Sequence, residues 1–567
     1  MSALLSPPAG ISPLAPASPG RRPRARWGRR WRAGLVPGLA LVVGLILGAN
    51  PFRPHTDNPD ATARGYLRYK EILSYVDRDY VDSVDAEGLT DYAVAQLLAR
   101  LDPHSVYIAA RDRERTDAFL QSSFDGAGLE FNLFRDTATV VTTIAGGPAE
   151  AAGLRPGDQL LRVGEVPVAG MHVGASLLSQ LLRGARGSSL SLLVARPLQP
   201  QPLSFRFLRG RLPNASVEPG VLLDDGQTGY IKVNRFAATT YEEFKAQLAD
   251  LQRQGLQRLV LDLRGNPGGY LDRATRLADE FIAGSRKLVY TTGRDEQYAT
   301  QTYAHVPGEW EQRPLVVLVD ENSASAAEVL AGALQDHDRA LLVGRRTFGK
   351  GLVQQPLPLQ EGGELRLTVA RYYTPSGRCI QKPYGPDKAT YNQELAARQQ
   401  HGEFTSADSA RFASGLRFHT DHGRVVYGGG GIMPDVFVPN DSLQTSSYYL
   451  QLRNQGVLRA YALAFYEQHK TELAGLRFAQ YQAVFRITDT ELAALARLAT
   501  LAGLRPNPAA LRRCAPAVRT SLKASIARSA YGPEAARTVL RDADAELQEA
   551  LRVLQDSAAQ LALLGEH

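Results

Sequence analysis

The chain has 567 residues, 44% apolar and 22% charged, the composition of a globular protein long enough for three or four domains. That excludes a mostly disordered chain, a fibre and a multi-span membrane protein, and two cysteines exclude a disulfide scaffold or a cysteine-rich zinc array. The net charge of +7 resides in the N-terminus, because residues 1–49 carry seven arginines and no acidic residue, so no nucleic-acid groove is indicated in the neutral remainder. Residues 1–32 read as a disordered, basic, Pro- and Ala-rich leader. The uncharged stretch Ala33–Ala49 behind the arginines has the pattern of a signal peptide or short signal anchor. The expected location follows: anchored in the inner membrane with residue 50 onward in the periplasm or cell envelope, or periplasmic if the signal is cleaved. Leu47-Gly48-Ala49 is a poor small-x-small cleavage site.

Residues 63–123 are predicted to be an N-terminal helical region. Leu73, Val76 and Tyr80 share one helical face, as do Ala93, Leu97 and Leu101, and Asp102-Pro103 stops the second helix. Residues 124–210 are β-rich. Gly126-Ala127-Gly128-Leu129-Glu130-Phe131 is a glycine loop entering a strand. Gly147-Pro148-Ala149, Ala152-Gly153-Leu154 and Pro156-Gly157-Asp158 follow, then a helix with Leu177, Leu178, Leu181 and Leu182, then a strand alternating at Leu190, Leu192 and Val194. This order resembles a PDZ domain, which implies capture of a protein C-terminus by strand addition. Gly126 and Gly128 would turn N–H groups toward the terminal carboxylate. Leu129, Phe131, Leu177 and Leu181 would line the adjoining apolar pocket; the alternative is a tight hairpin with no ligand.

Residues 211–440 alternate buried strands (Leu259–Leu263, Leu315–Val319) with helices (Phe244, Leu248 and Leu251; Arg273–Ile282), the pattern of an α/β domain whose functional loops lie at the strands' C-terminal ends. Residues 441–567 read as a helical C-terminal extension. Thr488-Asp489-Thr490-Glu491 is a capping box, and Leu540, Leu547, Leu551 and Leu554 form an apolar stripe.

Two loops should meet at one sheet edge. Arg264-Gly265-Asn266-Pro267-Gly268-Gly269 follows the first strand, and Asp320 to Ser325 follows the second and opens a helix from Ala326 to Gln335. Ser325 at that helix N-terminus sits where free N–H groups and the dipole favour developing negative charge. Ala326 and Gly269 are the candidate oxyanion donors. Lys350, within Thr347-Phe348-Gly349-Lys350-Gly351, has an unusual setting for a surface lysine. His337 falls about three helical turns beyond Ser325 and is expected at the surface. Cys379 and Cys514 are read as unpaired.

These segments resemble the C-terminal processing peptidases, or tail-specific proteases. Ser-Ala-Ser/Ala-Ser/Ala-Glu, a helix and Thr-Phe-Gly-Lys-Gly recur there at this spacing, and the resemblance extends to Asp262–Gly269, Tyr373–Arg378 and Val426–Asp435. Gly265 and Ala327 depart from residues that are often Asp and Ser in that family. The resemblance covers roughly residues 63–440. It implies a crotonase/ClpP-like α/β catalytic core with an inserted PDZ domain, Ser325 as nucleophile, Lys350 as general base and Gln354 orienting the lysine. Asp336 and Arg339 match supporting positions. It implies a serine endopeptidase of the cell envelope that needs no metal or cofactor and acts on protein C-terminal tails. Chemistry agrees: a serine needs a base, and a lysine is one only when burial lowers its pKa and keeps it neutral. A non-catalytic PDZ scaffold and a crotonase-like acyl-CoA enzyme are the rival readings. The sequence leaves open whether copies of the chain assemble.

Overall fold

The computed structural model describes residues 59–556, apart from Arg135, Leu198, residues 386–387, Arg411, residues 413–414 and residues 442–445. The predicted leader and signal segment, residues 1–49, lie outside the described residues. Among the described residues no helix is long and apolar enough to cross a membrane.

The chain divides into two units, one ending at Thr90 and one beginning at Asp91. The first contains α1 (Pro59–Asp79) and the opening of α2 (Ala86–Ala99). Leu73 and Val76 are half-buried as their spacing predicts, but Tyr80 lies past the helix end and is exposed. In the remainder of α2 the buried side chain is Leu98, while Leu97 and Leu101 are exposed, so the predicted face is displaced by one residue.

The helical reading of residues 63–123 also needs correction at β1 (Val106–Ile108), which pairs antiparallel with Glu364–Arg366 far along the chain. A three-residue strand has no periodicity to read, and its pairing partner is not local. After α3 (Ala110–Asp117), β2 (Ser123–Gly126) begins the β-rich region and pairs with β9 (Gly210–Pro213), which ends it. The region is thus inserted through two adjacent antiparallel strands. Between them lie β3 (Leu129–Phe134), β4 (Thr137–Thr143), α4 (Pro148–Ala151), β5 (Gln159–Val163), β6 (Val166–Pro167), α5 (Ala175–Leu182), β7 (Ser189–Ala195) and β8 (Leu203–Leu208). The sheet order is β3-β4-β5-β7-β8, with β6 on β5 and β3 at an edge. Leu190, Leu192 and Val194 point into its core, as alternation requires, with Leu178 and Leu182 of α5 opposite.

The α/β region follows. A short β10 (Val221–Leu222) precedes β11 (Thr228–Lys232), α6 (Thr240–Arg253), β12 (Arg258–Asp262) and α7 (Leu271–Asp279). Next come β13 (Lys287–Gly293), β14 (Gln301–Tyr303), β15 (Leu315–Val319), α8 (Ala326–Asp336) and β16 (Leu341–Gly344). The hairpin β17 (Leu352–Pro358) and β18 (Glu364–Tyr373), then α9 (Lys388–Gln400), β19 (Arg417–His419), β20 (Val425–Tyr427) and β21 (Val436–Phe437) complete it. Strands run in the order β10-β11-β12-β15-β16-β21, all parallel after β10. Parallel strands covered on both faces read as unbroken apolar runs, which is why Leu315–Val319 has no polar position. One face packs Leu259, Leu261, Val317 and Val319 against α6, α7 and α8.

The C-terminal region is helical: α10 (Ser447–Asn454), α11 (Val457–Ala474), α12 (Phe478–Val484), α13 (Asp489–Leu501), α14 (Pro508–Tyr531), α15 (Pro533–Asp542) and α16 (Ala545–Gln555). The Thr488 capping box forms at α13. The helices from α10 to α15 share a core of their own. Helix α16 does not join it. Leu547, Ala550, Val553 and Leu554 pack on Tyr230, Val260, Val316, Leu318 and Val343, covering the second face of the parallel sheet. Burying Leu547 and Leu554 there contributes about 1.5–3 kcal/mol each. Leu540 belongs to α15 and is exposed, so the predicted four-leucine stripe is really a stripe on α16 alone.

Candidate active site

The turn from β15 into α8 is tight enough to hold Ser325 at φ 57°, ψ −118°, a conformation that costs an ordinary residue about 1–3 kcal/mol. A strained strand-to-helix turn of this kind is how an α/β fold exposes a nucleophilic hydroxyl. Ser325 is half-buried, and its N–H donates to the Glu328 carboxylate three residues on, the capping-box bond of this turn. The turn closes against the first loop. At Gly268 (φ 97°) a β-carbon would stand 2.7 Å from Ser325 Cβ and 2.9 Å from Ala326 N, so only glycine fits. Gly269 (φ 145°) packs on the Phe236 backbone. Neither the Gly269 nor the Ala326 N–H donates to a protein acceptor among the described residues, as oxyanion donors must remain available.

Lys350 precedes β17, and Gln354 lies on it. Lys350 Nζ donates to Gln354 Oε1 at 3.1 Å. Gln354 Nε2 in turn donates to the His104 carbonyl in the loop before β1. Burial lowers the lysine pKa; Glu328 and Asp102 oppose this and Arg366 reinforces it. A lysine desolvated and held by a neutral amide has its charged form disfavoured, which is the direction a base requires.

Two side chains bind the serine and lysine segments together. The Glu328 carboxylate accepts from Ser325 N–H (2.8 Å) and Lys350 N–H (2.9 Å) on one oxygen. Its other oxygen accepts from Gly349 N–H (2.7 Å) and the Thr347 hydroxyl (2.5 Å). Complete burial pushes this carboxyl up to about 7, against the pull of those four donors. The Tyr372 hydroxyl, fully buried on β18, meets the carbonyls of both Ser325 (3.0 Å) and Lys350. Asp102 fixes the loop behind Gln354 by accepting from the N–H groups of His104 and Ser105 and from the hydroxyls of Ser105 and Thr368.

Ser325, Ala326, Gly269, Lys350 and Gln354 therefore belong to one assembly. Asp336 and Arg339 do not reach it. They lie at the far end of α8, about 16 Å along the axis from Ser325 at ~1.5 Å per residue. Asp336 pairs with Arg378 (2.7 Å), and Arg339 caps the carbonyls of Phe281 and Arg313. His337 is not a surface residue: its ring is 8% exposed, bonded to Asp421 at 2.8 Å and the Lys287 carbonyl at 2.7 Å. Sequence reasoning missed Glu328, Tyr372, Asp102 and His104. Only Glu328 carried a local signal, since a Glu three residues past a Ser is capping-box spacing.

In the β-rich insertion, Gly128 (φ 80°) makes the bend of the glycine loop, whereas Gly126 is an ordinary strand residue paired with Gly210. The Ala127 N–H between them is already committed to the Leu182 carbonyl. Leu129, Phe131 and Leu181 are partly buried against the core between edge strand β3 and α5. Leu177, one turn before Leu181 on α5, is 44% exposed. Cys379 and Cys514 are both free.

Comparison with known proteins agrees with this layout. The profile of peptidase family S41 matches residues 227–389, a PDZ domain profile matches 139–196, and a family of unknown function (DUF8443) matches 448–532. The carboxy-terminal-processing protease of Bartonella bacilliformis is 32% identical over 427 residues, 74% of this chain and 95% of that protein. The carboxy-terminal processing protease CtpB of Bacillus subtilis is 34% identical over 341 residues, 58% of this chain and 70% of that protein. The solved photosystem II D1 C-terminal processing protease is 30% identical, covering 57% of this chain and 91% of its own, with a TM-score of 0.32. With an S41 core interrupted by a PDZ domain and a relative matched over nearly its whole length, the chain belongs to the carboxy-terminal processing protease family of serine peptidases.

Proposed function

We propose that the chain is an exported endopeptidase that takes protein C-termini in the groove between β3 and α5 and cuts with a Ser325–Lys350 dyad. The observation that carries the dyad is that Glu328 and Tyr372 tie the backbone of a strained Ser325 to that of a desolvated Lys350, whose Nζ is held by Gln354. Neutral Lys350 takes the Ser325 proton as the hydroxyl attacks the scissile carbonyl. Gly269 and Ala326 N–H groups hold the oxyanion, worth about 10²–10³ in rate per donor. Lys350 returns the proton to the leaving amine, and water then releases the acyl-enzyme. Glu328 and Tyr372 touch no substrate atom; they fix the two backbones so that the hydroxyl and amine meet.

For the PDZ domain, the place of β3 at the end of the sheet order supports strand addition by an extended peptide. Leu177 and Leu181 would receive an apolar terminal side chain, and Gly128 shapes the carboxylate end. Export rests on the arginine block before Ala33–Ala49. A reporter fused after residue 60 is expected to be active outside the cytoplasm; activity only inside it would refute export. For the dyad, the purified soluble part is incubated with an unfolded protein and with a fluorophosphonate. Wild type should cleave the first and be labelled by the second, and Ser325→Ala should do neither. Cleavage by Ser325→Ala would overturn the assignment.

A further inference from the structure

Three loops build the active site; two of them reach the same pair of carboxylates at the start of α16, and the third is tied to them through Arg345. Arg264 opens the loop that ends in Gly268 and Gly269. Its guanidinium donates to Asp544 through two bonds (2.9 and 2.7 Å), to Glu546, and to Asp262 beneath it (2.7 Å). Arg345 begins the segment leading to Lys350. It donates to Glu546 and, at 2.7 Å, to Glu321 in the loop that leads to Ser325. Glu546 thus touches the arginines of two loops, and Arg345 carries the link to the third. All of these side chains are largely buried.

The loops are also stitched directly. Gly265 N–H donates to Asp320 at 2.9 Å, Ala324 N–H to the Asn266 carbonyl at 2.8 Å, and Phe348 N–H to the Ser323 carbonyl at 3.0 Å. A shift of Arg264 therefore passes within five residues to Gly269, and a shift of Arg345 within five residues to Lys350. Asp544 and Glu546 belong to α16, beyond the residues that match the S41, PDZ or unknown-function profiles.

We propose that Arg264 and Arg345 are positioning residues for catalysis, held in register by Asp544 and Glu546, so that cleavage at Ser325 depends on the C-terminal helix. The inference rests on the Ser325–Lys350 reading of the site. Misplacement of a reacting group by about 1 Å costs on the order of 10²-fold in rate. Partial release of two loops should therefore lower kcat by about 10- to 100-fold while the bound peptide, held elsewhere, keeps its KM.

The test uses the double variant Asp544→Asn/Glu546→Gln of the full chain, with Glu546→Gln alone as the milder form. Asn still caps α16, where Asp544 now accepts from the Glu546 and Leu547 N–H groups, and the apolar face of the helix is untouched. Active sites are titrated with the fluorophosphonate, and kcat is expressed per titrated site on a fluorogenic peptide. A helix that only supports folding would lower the number of titrated sites and leave kcat per site at the wild-type value. Positioning lowers kcat per site at least about 10-fold in the double variant, with KM within about two-fold, and Glu546→Gln falls between. Unchanged kcat per site in either variant, with wild type active, overturns this inference alone. A wild type that is not labelled at Ser325 would overturn the dyad instead.

Discussion

Glu328→Gln is an isosteric change that should nonetheless damage this enzyme severely. The carboxylate is surrounded only by donors: Ser325 and Lys350 N–H on one oxygen, Gly349 N–H and the Thr347 hydroxyl on the other. A glutamine must turn its NH2 toward one of those pairs. Facing Ser325 and Lys350 it strands two N–H groups. Facing Gly349 and Thr347 it strands one N–H and forces the hydroxyl around, although that oxygen already accepts from Ile432 N–H at 2.7 Å. Each buried donor left without an acceptor costs about 1–3 kcal/mol, so the cheaper placement costs about 2–5 kcal/mol with the charge-assisted bonds lost. Native stability is about 5–15 kcal/mol, so the variant should fold. Its Tm should drop by about 4–20 °C, at ~2–4 °C per kcal/mol for a region of this size. Because the same oxygen fixes the serine and lysine backbones, kcat should fall about 10²-fold or more. Thermal unfolding and peptide turnover measure both. The pH dependence adds a signature. With its pKa raised to about 7, Glu328 holds a proton in the folded state that the unfolded chain has released. Its contribution is therefore greatest below the ordinary carboxyl pKa and declines as pH rises toward 7, and the glutamine variant should lose that slope. If Glu328→Gln kept wild-type Tm and kcat at pH 7 and above, the carboxyl would be a donor there, and the four-acceptor arrangement would be wrong.

Lys350→Arg and Lys350→Ala should be about equally inactive, at least ~10²-fold down, because the guanidinium cannot give up its proton. Wild-type kcat/KM should rise with pH through a lysine pKa below the ordinary value, as burial dictates; a profile flat up to pH 10 would refute a neutral base. Gly268→Ala places a methyl against Ser325 Cβ at a positive φ and should abolish turnover in a chain that still folds by circular dichroism. His337→Ala should keep kcat but lower Tm, since the two bonds its ring makes at the end of α8 are lost; loss of kcat per folded molecule would point to a histidine mechanism. Gly128 would clash with Leu212 if substituted, so Leu177→Asp is the cleaner probe of tail capture. It should weaken cleavage of tailed proteins and spare short peptides, and equal loss on both would refute the groove.

What the sequence disclosed was local or carried by spacing. Leu259–Leu263 and Leu315–Val319 announce buried parallel strands because both faces of that sheet are covered. Ser325, Lys350 and Gln354 were singled out because their motifs resemble those of the C-terminal processing peptidases, and the structure places Lys350 and Gln354 in hydrogen-bond contact. Gly269 was singled out as a backbone donor, whereas the need for glycine at 268 shows only once the two loops close on each other. What stayed hidden depends on partners far along the chain. Strand β1 is three residues that become a strand only against β18, and Asp102 reads as a helix stop until Thr368 lies beside it. The leucines of α16 show a face but not what covers it. Periodicity assigned them with Leu540 to a helical tail, while the structure spends them on the S41 sheet. Asp336 and Arg339 match motif positions yet serve the far end of α8, because a motif records a residue's presence and not its distance from the reaction.

The position of α16 in the chain bears on when this enzyme becomes active. The helix that closes the second face of the parallel sheet occupies Ala545–Gln555 of 567 residues. Synthesis delivers it after every strand of that sheet. Until then Val260, Val316, Leu318 and Val343 stand uncovered, and an unfinished chain presents a sheet with one bare face. A peptidase whose sheet is finished only by a helix so far downstream of its strands cannot present a completed core while those strands are being made. The same order makes the covered sheet a check on synthesis: a chain stopped anywhere before Ala545 lacks that lid.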